Sequence, residues 1–362
     1  MKKALIFGEF LEKSSTGIAY INSNLKNVLR SLGYTISVLH EPRSEDYSNK
    51  KSIIKKNINI RLFLKLFFKI LNSEKADIAF MTISLGNIGL IKSLIIQYLI
   101  KIKSEKLYLY IHRGDLDIHS KKSIYKNILI NIVLKNSYRI VLLSRRFYSQ
   151  KTVKSFKNKI ITIPNALNKN DSRLSKQIFK KRTNFYKTES NIINFIFLGN
   201  IEKNKGIFNI IEAIRLINNS NFKYKIKLDL YGMMFENINS YDKFINYKGK
   251  LNNKERLLIM SQYDFLITAS ISEGMPLTII ECLAIGLPFI TTNVGAIQDL
   301  LFSDYPYITK SDSRSIFETV RLTGDDFMNK KNFLNQIISK SNDLFIKKFQ
   351  YKQFHECIKQ NI

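Results

Sequence analysis

The chain has 362 residues, 45% hydrophobic and 12% aromatic, which are globular values and enough to bury the cores of two ordinary domains. Its formal charge is +29, and residues 1–170 carry 31 basic and 10 acidic side chains against 27 and 19 in the remainder. Nucleic acid, anionic lipid headgroups and acidic glycans would all be attracted, although a Lys-, Ile- and Asn-rich composition accounts for many of the lysines. The two cysteines, Cys282 and Cys357, make no metal-type pairing and read as buried apolar filler in a reducing cytosol.

Lys3 to Phe7 is predicted as a strand, too short for a secretory apolar region. A polar loop, Glu9 to Gly17, leads to a helix from Ile18 to Leu32, stopped at Gly33, and to a strand from Tyr34 to Leu39. This is a β-loop-α-β opening without G-x-G-x-x-G, so no dinucleotide site follows. Glu41 to Lys56 reads as a polar excursion. From Ile58 to Leu71 a helix carries Arg61, Lys65 and Lys69 in one basic stripe among bulky apolar residues. Such a helix either packs on its sheet with its lysines in water or adds a contact with a membrane interface. Ala76 to Met81 is a strand, and Asn87 to Ile102 an amphipathic helix. The apolar run from Ile78 is broken by Lys92 and Lys101, so no transmembrane helix is expected.

Lys106 to Ile111 is a strand that delivers His112-Arg113-Gly114-Asp115 to its carboxyl end, where functional groups gather in open α/β sheets. His112 is therefore either a site residue or a structural cap. Asp115-Leu116-Asp117 spells D-x-D, read here as helix-start or loop acid rather than a metal site. Helices over Ile124–Leu134 and Phe147–Phe156 alternate with strands over Tyr138–Leu143 and Ile160–Ile163. Pro164-Asn165-Ala166 then closes the domain, and Asn168 to Asn191 reads as a linker.

The second half opens with a strand from Ile193 to Leu198, then Gly199-Asn200, Lys203, Lys205-Gly206 and a helix from Ile207 to Ile217. A strand from Lys227 to Tyr231, a segment from Asn246 to Leu251 containing Gly249, and a helix from Asn253 to Gln262 follow. The most informative stretch is Ser270 to Asp299. Asp264 to Ala269 is a buried strand and Ser270 to Gly274 a polar loop. Pro276 suits the first position of a helix that ends at Gly286, and Phe289 to Thr292 is the next strand. Unpaired amides around Gly274, Met275 and Leu277 make an anion site. Glu273 and Glu281, with seven residues between them, would be repelled by a phosphate, so each should accept hydrogen bonds from sugar or ribose hydroxyls. The end of the chain, Asn332 to Ile362, is Lys-rich and amphipathic.

Glu, seven residues, Glu, with Gly-x-Pro inside and Gly286-Leu-Pro and Val294-Gly295 after it, resembles the signature of glycosyltransferase family 4. The resemblance implies the α/β GT-B fold: two Rossmann-like domains facing across a cleft, with a C-terminal helix crossing back to the first. The implied domains are 1–168 with about 345–362, binding the acceptor, and 190–344, binding the nucleotide-sugar donor. It implies that Glu273 contacts the donor sugar, that Gly274, Met275, Pro276 and Leu277 hold the diphosphate, and that Glu281 binds the ribose. It also implies that His112 contacts the donor sugar or reacting centre, that Gly249 helps bracket the base, and that Lys205 grips the diphosphate beside Gly199. The family's Gly-Arg is Gly199-Asn200 here, which removes one fixed charge, so either Lys203 or an arginine of the first domain compensates, or activity or donor choice differs.

The implied activity is retaining, metal-independent transfer of a hexose-type sugar from a UDP- or GDP-sugar. The acceptor would be a glycan or lipid-linked glycan destined for lipopolysaccharide, capsule or exopolysaccharide. No cofactor is expected. The location would be cytoplasmic, with peripheral contact to anionic inner-membrane lipids. Two other readings remain open: a GT-B sugar-nucleotide epimerase, for which Glu9, Asp115 and Asp117 are the candidate carboxylates, and a nucleic-acid-binding module resting on charge alone.

Overall fold

A computed structural model of the chain describes residues 2–14, 16–41, 63–182, 191–238 and 242–362. The chain divides into two compact units, Met1–Pro164 with His355–Ile362, and Asn165–Phe354. No helix among the described residues is long and apolar enough to cross a membrane.

The first unit is built on β1 (Lys2–Gly8), α1 (Gly17–Ser31), β2 (Tyr34–His40), α2 (63–71), β3 (Ile78–Thr82), α3 (Asn87–Lys103), β4 (Lys106–Ile111), α4 (Leu116–Lys121), α5 (Ile124–Lys135), β5 (Arg139–Leu142), α6 (Lys151–Lys154) and β6 (Ile160–Thr162). Its six strands pair in the order β2-β1-β3-β4-β5-β6, all parallel. The β1 run Ala4 to Phe7 is buried throughout, as expected for a strand covered on both faces. Thr16 starts α1 by accepting from the Ala19 amide, and Ser123 starts α5 by accepting from Lys126.

Two expectations change here. The helix predicted over Phe147–Phe156 is broken into a 3-10 turn, Arg145–Ser149, and the short α6. The break is at Gln150, whose backbone is extended and whose side chain donates to the Gly114 carbonyl. The excursion beyond Glu41 and residue Arg61 of the basic stripe lie outside the described residues.

The second change opens the second unit. The predicted linker forms α7 (Lys169–Arg182), a helix that begins with Asn168 accepting from the Asp171 amide and ends with buried Arg182. The Arg182 guanidinium donates to the carbonyls of Ser261 and Tyr263, so a segment of linker-like composition is bound to the domain surface. Then follow β7 (Ile192–Leu198), α8 (Ile207–Asn219), β8 (Lys225–Tyr231), β9 (Ile245–Gly249), α9 (Arg256–Met260), β10 (Phe265–Ile267), α10 (Leu277–Ile285), β11 (Phe289–Thr292), β12 (Ile308–Thr309), α11 (Ser313–Asn329) and α12 (Lys331–Lys348), while α13 (Tyr351–Asn361) belongs from His355 onward to the first unit. The strands pair in the order β12-β11-β10-β7-β8-β9, again all parallel. Pro276 is the residue before α10 rather than its first residue. Eight of the nine residues of α10 are buried, and Gly286 ends it as expected. Asn342 of α12 donates to the Ala284 carbonyl, satisfying one of the helix's terminal acceptors. Both cysteines are free, Cys282 buried and Cys357 half-buried.

Candidate active site

The strand order of the second unit reverses between β7 and β10, because β8 lies on one side of β7 and β10 on the other. Ligands of open α/β sheets bind at such a switch point, outside the carboxyl ends of the strands. Gly199 and Asn200 follow β7, Gly232 follows β8, Gly249 closes β9, and the loop Thr268 to Pro276 follows β10. The expected donor-site residues of this half therefore share one end of one sheet.

Two close approaches assemble this end. Gly206 has φ of 70°, and a Cβ there would lie 2.3 Å from the Ala269 carbonyl oxygen, so only glycine brings the Lys203–Lys205 turn against the β10 loop. On the other side Gly295 has φ of 60°, and a Cβ there would lie 2.1 Å from the Glu273 carbonyl oxygen. The Ile271 amide donates to Asn204, the Ala296 amide donates to Gly274, and the Thr292 hydroxyl donates to Ser270. The turn before α10 is thus pinned from both neighbours. The first-turn amides of α10 have no carbonyl of their own helix to bond.

Across this turn Lys205 Nζ lies 2.6 Å from Glu273 Oε1. Both side chains keep solvent access, so the pair is an accessible charge couple beside a helix start. Gly232 donates to the Gly249 carbonyl at 2.9 Å, which joins the β8 and β9 ends. Asn200 and Lys203 stand where a family arginine and its substitute are expected. The Lys203 amide donates to Glu236, and its side chain is exposed.

Glu281 is placed differently from a residue that simply faces a ligand. It is 1% exposed and forms an ion pair with Arg256 of α9. Burial pushes its carboxyl up to about 7, and the Arg256 charge opposes that rise only in part. Its Oε2 has no hydrogen-bond partner among the described residues.

Two residues escaped the sequence reading. Arg256 was passed over within a predicted helix, since nothing local marks it as the partner of a glutamate 25 positions on. Asn165 was read only as part of a closing turn. Its Nδ2 donates to the Met275 carbonyl at 2.7 Å and its amide to the Met275 sulfur at 3.3 Å, so it orients the peptide next to the helix start. A polar side chain after Pro at a domain end was the available signal.

His112 lies in the first unit, at the end of β4, and stacks on Tyr110 with ring centroids 4.2 Å apart. Burial lowers its pKa to about 3, so the ring is neutral at ordinary pH, and its Nε2 has no hydrogen-bond partner among the described residues. The D-x-D acids are occupied. Asp115 takes two hydrogen bonds from Arg113, at 2.8 and 2.6 Å. Burial works to raise the Asp115 carboxyl, but those bonds and the Arg113 charge hold it below the usual range. Asp117 accepts from the Lys151 and Thr152 amides and the Thr152 hydroxyl, and so caps α6 rather than α4. Glu9 accepts from the Thr16 hydroxyl at 2.6 Å. All three carboxylates available to an epimerase thus serve structural bonds.

Residues 193–321 match the family model "Glycosyl transferases group 1". An uncharacterized 41.2 kDa protein in the cps region of Klebsiella pneumoniae is 27% identical over 145 residues, 40% of this chain and 39% of that protein. An uncharacterized glycosyltransferase of Methanocaldococcus jannaschii, MJ1059, is 26% identical over 271 residues, 67% of this chain and 64% of that protein. The match therefore spans less than two thirds of either relative. Sucrose-phosphate synthase from Thermosynechococcus elongatus superposes with a TM-score of 0.72 at 11% identity, over 99% of this chain and 98% of that one. A trehalose-6-phosphate protein from E. coli bound with UDP-2-fluoro glucose gives 0.70 at 10% identity, over 99% and 98%. The family match lies within the unit that holds Lys205, Glu273 and the amide turn, so this unit resembles the group 1 glycosyltransferases, and the chain as a whole has the GT-B fold.

Proposed function

We propose that this glycosyltransferase retains anomeric configuration and moves a hexose-type sugar from a UDP- or GDP-sugar to a growing surface glycan. The glycan would be lipopolysaccharide, capsule or exopolysaccharide. One observation carries the donor site: the solvent-accessible Lys205–Glu273 pair beside the start of α10, at the switch point of the second sheet. The capsule-region relative supports the surface-glycan assignment.

In this reading the amides from Gly274 to Leu277 receive the diphosphate, with Met275 and Pro276 shaping the turn. Lys205 exchanges Glu273 for the phosphates, and the released Glu273 accepts from hydroxyls of the donor sugar. Glu281 is enclosed with Arg256, so it would reach the ribose only after that pair opens. Gly199, Asn200 and Gly249 border the nucleotide. The first unit binds the acceptor, and neutral His112 is its candidate site residue.

The chemistry is one substitution at the anomeric carbon. The acceptor oxygen approaches the face from which the diphosphate departs and bonds to that carbon as the carbon–phosphate oxygen bond breaks, so configuration is retained and the nucleoside diphosphate leaves. The acceptor proton passes to the departing phosphate oxygen. Negative charge grows on that phosphate in the transition state, where the Lys205 ammonium and the turn amides stabilise it most. No metal has a role in this scheme. The enzyme would work in the cytoplasm, with its basic first unit in peripheral contact with anionic lipids of the inner membrane.

A thermal-shift panel of UDP, GDP, ADP, CMP and dTDP ligands tests the donor site. Binding to the native state raises the melting temperature by mass action. One nucleotide series should raise it in the wild type, and Lys205→Ala should keep a smaller rise, since Lys205 acts mainly on the charge that builds as the phosphate departs. If no ligand in the panel moves the wild type, the donor-site reading is wrong.

A further inference from the structure

The outer face of α3 is apolar where a solvated helix is polar. Ile88, Ile91, Ile95, Tyr98 and Ile102 recur at intervals of three and four residues and are 38–70% exposed. That spacing is one stripe, about 20 Å long at the helical rise. The opposite stripe, with Leu90, Ile96 and Ile100, is already buried in the unit, so this is a second apolar face. Lys101 falls roughly 90° to one side of it, and Lys92 and Lys103 roughly 90° to the other, at about 100° per residue.

Neighbouring helices extend the face. Lys103 Nζ donates to the Leu71 carbonyl, and Lys92 lies over the Phe63 ring, which join α3 to α2. There Leu64 and Phe68 are exposed among exposed Lys65 and Lys69. Gln97 donates to the Val133 carbonyl, and Asn136 to the Tyr98 hydroxyl, which join α3 to α5. There Ile124 and Ile128 are 82% and 52% exposed. On α8 of the second unit, by contrast, Leu216 is the one large apolar residue that is exposed. Scattered apolar residues are ordinary on a surface, but a continuous set over three helices marks an interaction site.

We propose that the α2–α3–α5 face is the seat for an anionic phospholipid bilayer. The isoleucines enter the boundary of the acyl chains, and the flanking lysines reach the headgroup phosphates. Charge selects this occupant: a second copy would bring the same lysines against themselves, whereas anionic headgroups neutralise them. The assignment rests on the proposed peripheral contact of the first unit and gives that contact its residues. It differs from the basic stripe expected on α2, because apolar insertion rather than charge alone holds the surface.

The chain contains no tryptophan, so Ile95→Trp places a single reporter on the stripe. Its emission should shift to the blue with vesicles of phosphatidylglycerol and phosphatidylethanolamine, and not with phosphatidylcholine alone. The triple change Ile88→Ser, Ile95→Ser, Ile102→Ser should lower co-sedimentation with the anionic vesicles by more than about tenfold. Because these side chains are exposed, the nucleotide-induced melting shift should be unchanged in that variant. An unshifted reporter, or a triple variant that sediments like the wild type, would overturn the proposal. So would a lipid-free dimer that the triple change splits into monomers, since the face would then join protein to protein. Vesicle binding without any nucleotide shift would remove the donor-site reading and leave this one standing.

Discussion

Glu281 sets a pH dependence that can be worked from its surroundings. Its carboxyl titrates at about 7 in the folded chain against an ordinary value of 4.5, because burial outweighs the Arg256 charge. At 1.36 kcal/mol per pH unit the displacement corresponds to about 3 kcal/mol. The sign follows from proton counting. Between the two values the folded chain binds more protons at this site than the unfolded chain. The contribution to stability is therefore complete below 4.5 and is lost as pH rises through about 7. Most of that loss, on the order of 2 kcal/mol, falls between about pH 5 and pH 8. Glu281→Gln keeps the shape and cannot ionise, so this component should vanish. The assay is denaturant unfolding followed by far-ultraviolet circular dichroism, with wild type and variant compared across that range so that other groups cancel. Relative to the variant, the wild type should lose stability as pH rises. Parallel pH profiles, or a wild type that gains on the variant with rising pH, would refute the buried, partly compensated carboxyl.

Four other outcomes are expected. Lys205→Ala should lower turnover by about 10²-fold, because the lost charge acts mainly on the departing phosphate, and a change in KM alone would contradict that role. Asn200→Arg restores a bidentate donor and should tighten donor binding by about tenfold, as measured by titration calorimetry. A weaker complex would mean that the site has no room for the guanidinium. His112 is neutral above about 3, so a pH–rate profile should contain no limb near its ordinary 6.5 that disappears in His112→Gln. Asn165→Ala frees the Met275 peptide and should lower kcat more than it raises KM, with Asn165→Gln failing to restore it, and full activity in the alanine variant would leave Asn165 a purely structural residue.

Much of the architecture was legible in local patterns. The strand runs Ala4 to Phe7 and Phe265 to Ile267 are short, apolar and bounded by polar loops, and each became a covered parallel strand. The stop at Gly286 and the loop-to-helix start before Leu277 were also local, since they depend on backbone preferences of a few consecutive residues. The stretch over 168–182 misled because its composition is that of a linker. Its helix is held instead by a cap at Asn168 and by Arg182 bonding to carbonyls 79 and 81 positions away.

By itself the sequence determined most of the order of strands and helices, the spacing that puts Glu273 in a loop and Glu281 in the following helix, and the glycines at 206 and 295. Tertiary structure alone decided that Glu281 would be closed off against Arg256, that Lys205 would meet Glu273 across 68 residues, and that Asn165 would hold Met275 across 110. Periodicity and capping report what a residue does to its neighbours along the chain. A buried charge pair or a side chain bonded to a distant carbonyl depends on which strands lie side by side, and that is set only when the whole sheet has formed.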